Sequence, residues 1–502
     1  MDIVQFIKYI NRRKGWNVQG GYYAYIREWR QWWQGNYAPF HTVKSAGLDG
    51  RIHARQMYRL RMPKRVSEDW ASLLLNDKTT VTVKDAASAK WLCGNPDSHL
   101  QGGQLRALDF WSNANRLVEL AFRSGTGAFV MSAQGVAVDG GAVQSSPSAR
   151  LALDYLPAEC ILPITVRHGK VVDVAFASEV IVGGRSCVYL QTHQLEDMSD
   201  GGRQYVIYNE YYAGEGEGEL AVDYQPAELP HGMLKSIKTG SDTPWFSVFS
   251  PAIVKNLDGG AGLGMAVFAE ALDTCKQVDL AFDNYCMDLY LGGKKVFYSK
   301  EMLKPLVDKE GNVRYSAPDD IRQQLFYQLG DSNPDTEPKW YEYNPDLRTE
   351  ANSRAVQDAL DYTSFLCGLG THRYQFQGSA IATATQYMGD RQDMVQHANR
   401  HQIQIEEALL QIFRALLWAG RNLLGADVDP ETDISINWDD SYIDTAESRR
   451  VQDKDDALSG FIPKYRYNME WRGMSEEDAK AAVREAREES GASDPLSFGG
   501  SF

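Results

Sequence analysis

Residues 381–424, IATATQYMGDRQDMVQHANRHQIQIEEALLQIFRALLWAGRNLL, constrain the fold more than any other part of this chain. Their apolar residues recur at helical spacing, and one continuous helix of that length spans roughly 65 Å at 1.5 Å per residue. One small core does not need so long a rod. The sequence therefore predicts either a coiled coil or a subunit of a large assembly.

With 502 residues, 43% of them hydrophobic, the chain can bury sizeable cores, and its length suggests two to four domains. It contains no run of about 18 apolar residues for a membrane span, and its first residues lack the basic-then-apolar order of a signal peptide. A soluble protein that stays in the cytosol where it is made is expected. The six cysteines form no CxxC pair and stand among apolar neighbours, so they read as buried thiols rather than a zinc site or disulfide framework. No cofactor is expected. Net charge is −15, which argues against tight gripping of nucleic acid through many phosphates. Residues 1–70 hold 13 Lys/Arg against 5 Asp/Glu, or +8, leaving −23 for the remainder. This asymmetry predicts a basic region that meets an acidic neighbour or partner.

Three regimes follow one another along the chain. Helical spacing at Tyr22, Ile26, Trp29, Trp32 and Trp33 ends at Gly35; a second helix is predicted over 66–75, a strand over 79–83, and a third helix from LRALDF to Gly125. From about 127 to 230, short β-rich runs alternate with turns, and His168-Gly169-Lys170 and Gly183-Gly184-Arg185 are natural hairpin turns of an antiparallel meander. The stretch 213–233 reads as turn-rich and exposed. Beyond Gly262, Phe268, Leu272, Cys275, Asp279, Phe282, Cys286 and Leu289 draw one helical stripe, and Ala355, Ala359, Tyr362, Leu366 and Leu369 draw another. Between them lies a mixed segment with candidate strands KKVFYS and KWYEY and a candidate short helix, IRQQLFYQL. Two long helices with a small α/β insert at their tip are expected to pair antiparallel.

The order of these elements, together with WRQWWQGNY (29–37), KRVSEDWASLLLND (64–77), YLQTH (189–193), YVIYNEYY (205–212), the long helix, DISINWDDSYIDTAESRR and a final helical segment with RGMSEEDA, resembles the bacteriophage portal proteins, in particular the siphophage and prophage branch of Gram-positive hosts. The resemblance implies an α+β portal fold: wing at 1–261, first stem helix at 262–290, clip at 291–345, second stem helix at 346–369, tunnel loop at 370–380, long wing or crown helix at 381–425, and crown with C-terminal tail at 426–502. It further implies a homo-oligomeric ring of twelve copies at one capsid vertex of the virion, assembled in the host cytoplasm. Such a ring conducts double-stranded DNA during packaging and ejection. Its implied partners are the terminase large subunit, a head–tail adaptor, and the major capsid and scaffolding proteins, with no membrane.

Within that frame the tunnel loop supplies the candidates for DNA contact. Thr371, His372, Arg373, Tyr374, Gln375, Phe376 and Gln377 combine one firm positive charge with aromatic and hydrogen-bonding groups, which suits brief contact with phosphates of any sequence. Without the resemblance the same residues read equally as an ordinary connecting loop. Lys294 and Lys295, at the clip or channel entrance, are second candidates that read equally as solvated side chains. Twelve copies at −15 each, −180 in all, make a wall over which DNA slides rather than sticks.

Catalytic patterns are missing. The glycines from Gly259 to Gly264 lack the spacing and lysine of a phosphate-binding loop and read as a loose hinge before the stem. Packaging energy must then come from a separate ATPase. His397 and His401 lie four apart without a third ligand, so a polar helix face is the simpler reading. Asp427, Asp429, Glu431 and Asp433 alternate like a calcium loop, but Thr432 and Trp438 stand where glycine and glutamate belong, leaving a solvated connector. The three tryptophans read as packing before stacking platform. A polysaccharide-acting hydrolase, with an aromatic-rich binding region and acid from Asp439 or Asp440, is the competing reading.

Overall fold

The structure, a computed structural model, describes all residues except 1, 47–50, 77, 95–101, 183, 200, 216–222, 294, 300–304, 308–310, 312, 316–325, 330–339, 376–383, 439–445 and 490–502. It is mixed α+β and divides into two compact units, Met1–Asn437 and Trp438–Phe502.

The first unit opens with α1 (Ile3–Lys14), whose start is capped by Asp2 accepting from the Val4 amide at 3.0 Å and whose end turns at Gly15 with φ 70°. Then come α2 (Tyr23–Trp33), α3 (Ala38–His41), the ribbon β1 (Thr42–Ala46) with β2 (Ile52–Gln56), and α4 (Met62–Leu74). The last of these begins four residues before the predicted start, with Pro63 in its first turn where no amide partner is needed. Trp29 and Trp32 are buried and Trp33 half-buried, the latter bonded to Glu119 and faced by Lys64 and Arg123. These side chains pack the unit rather than form an open platform. After β3 (Thr80–Val83) and α5 (Ala86–Cys93), the predicted third helix proves to be two, α6 (Gly103–Ala107) and α7 (Phe110–Ser124). Asp109, at φ 48°, breaks them apart.

Two sheets follow. In the first, β4 (Gly127–Gln134) lies between β7 (Arg150–Pro157) and β14 (Phe246–Phe249); the short β5 (Ala137–Asp139) and β6 (Ala142–Gln144) belong to the second. That second, eight-stranded sheet also contains β8 (Ile161–Arg167), β9 (Lys170–Val182), β10 (Arg185–Asp197), β11 (Arg203–Glu215), β12 (Asp223–Ala227) and β13 (Ser236–Lys238), ordered β5-β6-β13-β11-β10-β9-β8 with β12 added to β11. The meander β8 to β11 is antiparallel as read from the sequence. His168 and Gly169, at φ 51° and 78°, make its first two-residue turn, of the sort that suits strand twist. The stretch 213–233 is not all exposed turn, because β12 pairs with β11 and buries Tyr224 against Phe6.

The glycines before the stem are a close-packing device, not a loose hinge. A Cβ on Gly260 would stand 2.5 Å from the Tyr22 ring, and one on Gly264 2.5 Å from the Gly125 carbonyl. Next come α8 (Leu272–Leu291), β15 (Lys295–Ser299), β16 (Pro305–Val307), β17 (Val313–Tyr315), β18 (Phe326–Leu329), β19 (Trp340–Tyr343) and α9 (Thr349–Leu366). The described parts of KKVFYS and KWYEY, 295–299 and 340–343, form strands as expected, and β15 joins β18 in parallel and β19 in antiparallel fashion. The end of IRQQLFYQL is strand β18 and not helix; the rest lies outside the described residues. Its bulky Phe-Tyr pair suits a sheet edge better than a short helix.

Helix α10 (Ala384–Leu423) is one 40-residue element, roughly 60 Å long. Its C-terminal half runs through the core: Leu409, Ile412, Phe413, Leu416 and Leu417 are fully enclosed, and Phe413 meets Phe110 at 5.2 Å between ring centres. Each such side chain contributes about 2–3 kcal/mol of transfer free energy. β20 (Ile434–Asn437) closes the unit against β3.

The second unit holds α11 (Ala446–Ser459), α12 (Lys464–Arg472) and α13 (Glu476–Glu489). Trp471 Nε1 bonds Asp453 at 2.8 Å, and Ser475 accepts from the Asp478 amide to start α13. No described helix is long and apolar enough to cross a membrane.

Candidate functional site

The pair α8 and α9 is antiparallel. At one end Asp288 binds Arg348 Nη2 at 2.7 Å and Asn352 Nδ2 at 3.0 Å; at the other, Cys275 and Cys367 are buried together, burial pushing the Cys367 thiol up to about 12. The predicted stripes are buried only in part, at Phe268, Cys275 and Asp279 in the first and at Ala359 and Leu369 in the second. On α8 the buried residues are Cys275, Val278, Asp279 and Asp283, while Leu289 is 45% exposed. On α9 they are Val356, Ala359, Leu360, Thr363 and Ser364, while Ala355 is exposed and Tyr362 and Leu366 face solvent at 59% and 45%. Thr363 is accommodated because its hydroxyl donates to the Ala359 carbonyl at 2.9 Å. Leu280, Tyr290, Leu291 and Phe365 join the exposed apolar set. Large apolar groups thus line the outside of a pair whose inside is partly polar.

Sequence reasoning missed what fixes α8 to the N-terminal region. His41, fully buried, accepts from the Tyr37 amide at Nδ1, so Nε2 carries the proton and donates to Asp279 Oδ2 at 3.0 Å. Asp279 also accepts from the Leu60 amide at 2.9 Å. One helical turn on, Asp283 takes both ends of the Arg55 guanidinium at 2.7 Å and the Tyr58 amide at 2.9 Å. The Arg55 hydrogen bonds hold the Asp283 carboxyl below the usual range. Two aspartates four apart on an inward face were the available signal.

Of the tunnel-loop residues, Thr371, His372, Arg373, Tyr374 and Gln375 are described; Phe376 and Gln377 lie outside the described residues. The loop leaves α9 through Gly368, at φ 75°, where a Cβ would stand 3.0 Å from the His397 ring. Trp70 Nε1 holds the Cys367 carbonyl at 3.1 Å. Thr371 and His372 are exposed, and His372 Nδ1 lies 2.9 Å from Gln375 Nε2. Arg373 and Tyr374 turn back onto α4 instead of standing free. Arg373 Nη2 lies 3.7 Å from Asp69, a carboxylate 5% exposed that already binds Arg65 at 3.1 Å. Tyr374 is largely enclosed; burial, then the Asp69 charge, pushes its phenol well up, and neither its hydroxyl nor Asp69 Oδ2 has a well-formed hydrogen bond. The Tyr374 carbonyl accepts from Gln357 at 3.0 Å. Two guanidiniums share one buried carboxylate here, and a second carboxylate, Asp361, lies 3.8 Å from His372 Nδ1.

Lys294 lies outside the described residues, and Lys295 opens β15. Asp439 and Asp440 also lie outside them. His401 is not on a polar face: it is buried, accepts from the Ala252 amide at 2.9 Å, packs against Trp70 and Phe122, and is pushed down to about 3 by burial. Asp427, Asp429, Glu431 and Asp433 are exposed, with Asp433 paired to Lys84. Among the described residues no cluster of three His, Cys, Asp or Glu side chains is set to hold a metal ion. No protein-family model and no curated protein matches this chain.

Proposed function

We propose that this chain is a portal subunit: copies close into a ring, twelve by resemblance, that conducts double-stranded DNA into and out of a capsid at one vertex. The observation that carries the reading is the antiparallel pair α8 and α9, with an insert at its tip and large apolar side chains on its outside. A lone subunit would expose Tyr290, Tyr362, Phe365 and Leu366 to water, whereas a neighbour of the same kind would cover them. The stem then surrounds the DNA path, and Thr371 and His372, with part of Arg373, are the loop groups offered to phosphate. The chain works without catalysis of its own; a terminase motor docks on the ring, a head–tail adaptor follows it, and capsid and scaffolding proteins surround it in the virion.

Electron micrographs and mass measurement of the purified protein test this directly. Rings many times the 56.3 kDa subunit mass are expected. A monomer at every concentration and salt level tried would overturn the proposal.

A further inference from the structure

We infer that Asp69 on α4 is a brake on DNA contact: it holds Arg373 in reserve, and Arg65 lets Arg373 go to a phosphate by keeping the carboxylate paired. This rests on the DNA-conducting ring reading above. Asp69 is only 5% exposed, and a charge so enclosed needs a cation beside it. It has two. Arg65, one turn back on the same helix, lies at 3.1 Å, while Arg373 reaches across from the loop to 3.7 Å, beyond hydrogen-bond range. Both approach Oδ1, and the enclosed Oδ2 accepts no hydrogen bond, so neither guanidinium has the two-pronged grip that makes such pairs strong. One guanidinium suffices to keep Asp69 paired. The looser one can therefore exchange without leaving a buried charge alone.

The backbone beside Arg373 need not move for this. Trp70 Nε1 holds the Cys367 carbonyl at 3.1 Å before it, and Gln357 holds the Tyr374 carbonyl at 3.0 Å after it. A swing of one side chain, already 29% exposed, takes the charge off α4. Among the described loop residues the other titratable cation is His372, and its Nδ1 lies 3.8 Å from Asp361, which also accepts from Gln357 Nε2 at 2.9 Å. Asp69 and Asp361 thus balance Arg65 and Arg373, so a phosphate meets no standing positive surplus and must compete for Arg373. The competition is close. A partly exposed ion pair beyond hydrogen-bond range is weak, and a phosphate contact adds the release of a counterion. A contact that forms and breaks in this way suits a duplex that slides.

The test is retention of a labelled DNA duplex by purified rings, read by fluorescence anisotropy across a salt series, with ring integrity checked in micrographs. Arg65→Ala leaves Arg373 as the one guanidinium on Asp69 and is expected to weaken retention about threefold. Asp69→Asn releases Arg373 and should strengthen retention by a similar factor, with a steeper salt dependence. Adding Arg373→Ala to Asp69→Asn should abolish that gain, whereas adding Arg65→Ala should leave it in place. If Asp69→Asn does not form rings, Arg65→Ala set beside Arg373→Ala decides, because a residue that acts only through Arg373 cannot cost more than the loss of Arg373 itself. Unchanged retention by intact Arg65→Ala rings overturns the brake. So does a larger loss in Arg65→Ala than in Arg373→Ala, which makes Arg65 a DNA contact in its own right, or a gain in Asp69→Asn that survives Arg373→Ala. These outcomes leave the ring reading intact. Wild-type rings that hold no duplex sink the conduit reading and the brake with it.

Discussion

Two long helical regions of this protein, similar in apolar content, stand in opposite surroundings. The C-terminal half of α10 is largely enclosed, with Ala415, Leu416, Leu417 and Ala419 all fully buried. The pair α8 and α9 buries a mixed inner stripe and leaves Tyr290, Tyr362 and Phe365 outside. Length alone therefore does not signal assembly: α10 uses much of its length to organise the fold of one chain, whereas the stem has faces that one chain does not cover. On the proposed ring reading, the difference separates residues that stabilise a subunit from residues that would join subunits.

The largest effect belongs to the enclosed helix. Phe413→Ala removes a ring packed against Phe110 at full burial and is expected to cost about 3–5 kcal/mol of subunit stability, read by denaturant unfolding. A loss under about 1 kcal/mol would mean that α10 is not the core helix it is taken to be.

Acid should strike the same enclosed region next. Burial pushes His401 on α10 and His193 on β10 down from 6.5 to about 3. The unfolded chain binds protons at both below pH 6.5 while the folded chain does not, so stability is whole above 6.5 and falls with pH until it levels off near 3. Between pH 7 and pH 5 each histidine should cost about 2 kcal/mol. Urea unfolding at the two pH values measures this. Equal stability at both would show that the imidazoles titrate normally.

Much of this arrangement was legible in the sequence because it is local. The period of α10, the turn at His168-Gly169 and the pairing of two long helices around an insert follow from spacing and turn chemistry within short windows. Facing was harder to read. The spacing on α9 draws a stripe without saying which way it faces, and Tyr362 and Leu366 are outside while Thr363 is inside, its hydroxyl satisfied by its own helix. Arg373 and Tyr374 read as free loop groups because their partner Asp69 is some 300 residues away in sequence. Glycine clusters suffer likewise, since Gly260 takes its meaning from the Tyr22 ring.

The docked half of the loop gives an intermediate effect. Arg373→Ala leaves Asp69 with Arg65 alone and is expected to cost about 1 kcal/mol, discounted because Arg373 is partly exposed. Thr371→Ala/His372→Ala should leave stability within about 0.5 kcal/mol and reduce DNA retention by the ring, since both side chains are exposed. Retention measured for the two variants side by side separates docking from DNA contact. Normal retention in the double variant would remove the exposed tip from the contact set.

The smallest effect on a subunit should come from the stem, where the comparison is sharpest. Tyr362→Ser/Phe365→Ser trims two rings that are 59% and 56% exposed, so unfolding of the isolated subunit should change by no more than about 0.5 kcal/mol per site. Assembly should change far more, because in a ring these rings are the apolar groups that a neighbour desolvates, and truncating such an anchor costs 2 kcal/mol or more at an interface, roughly thirtyfold in affinity. Sedimentation across a concentration series, beside denaturant unfolding of the same samples, reads both quantities at once. If the double variant loses subunit stability as Phe413→Ala does, these side chains are part of the chain's own core and the contrast between α10 and the stem disappears. If it loses neither stability nor assembly, the exposed stem face is not the surface by which copies meet.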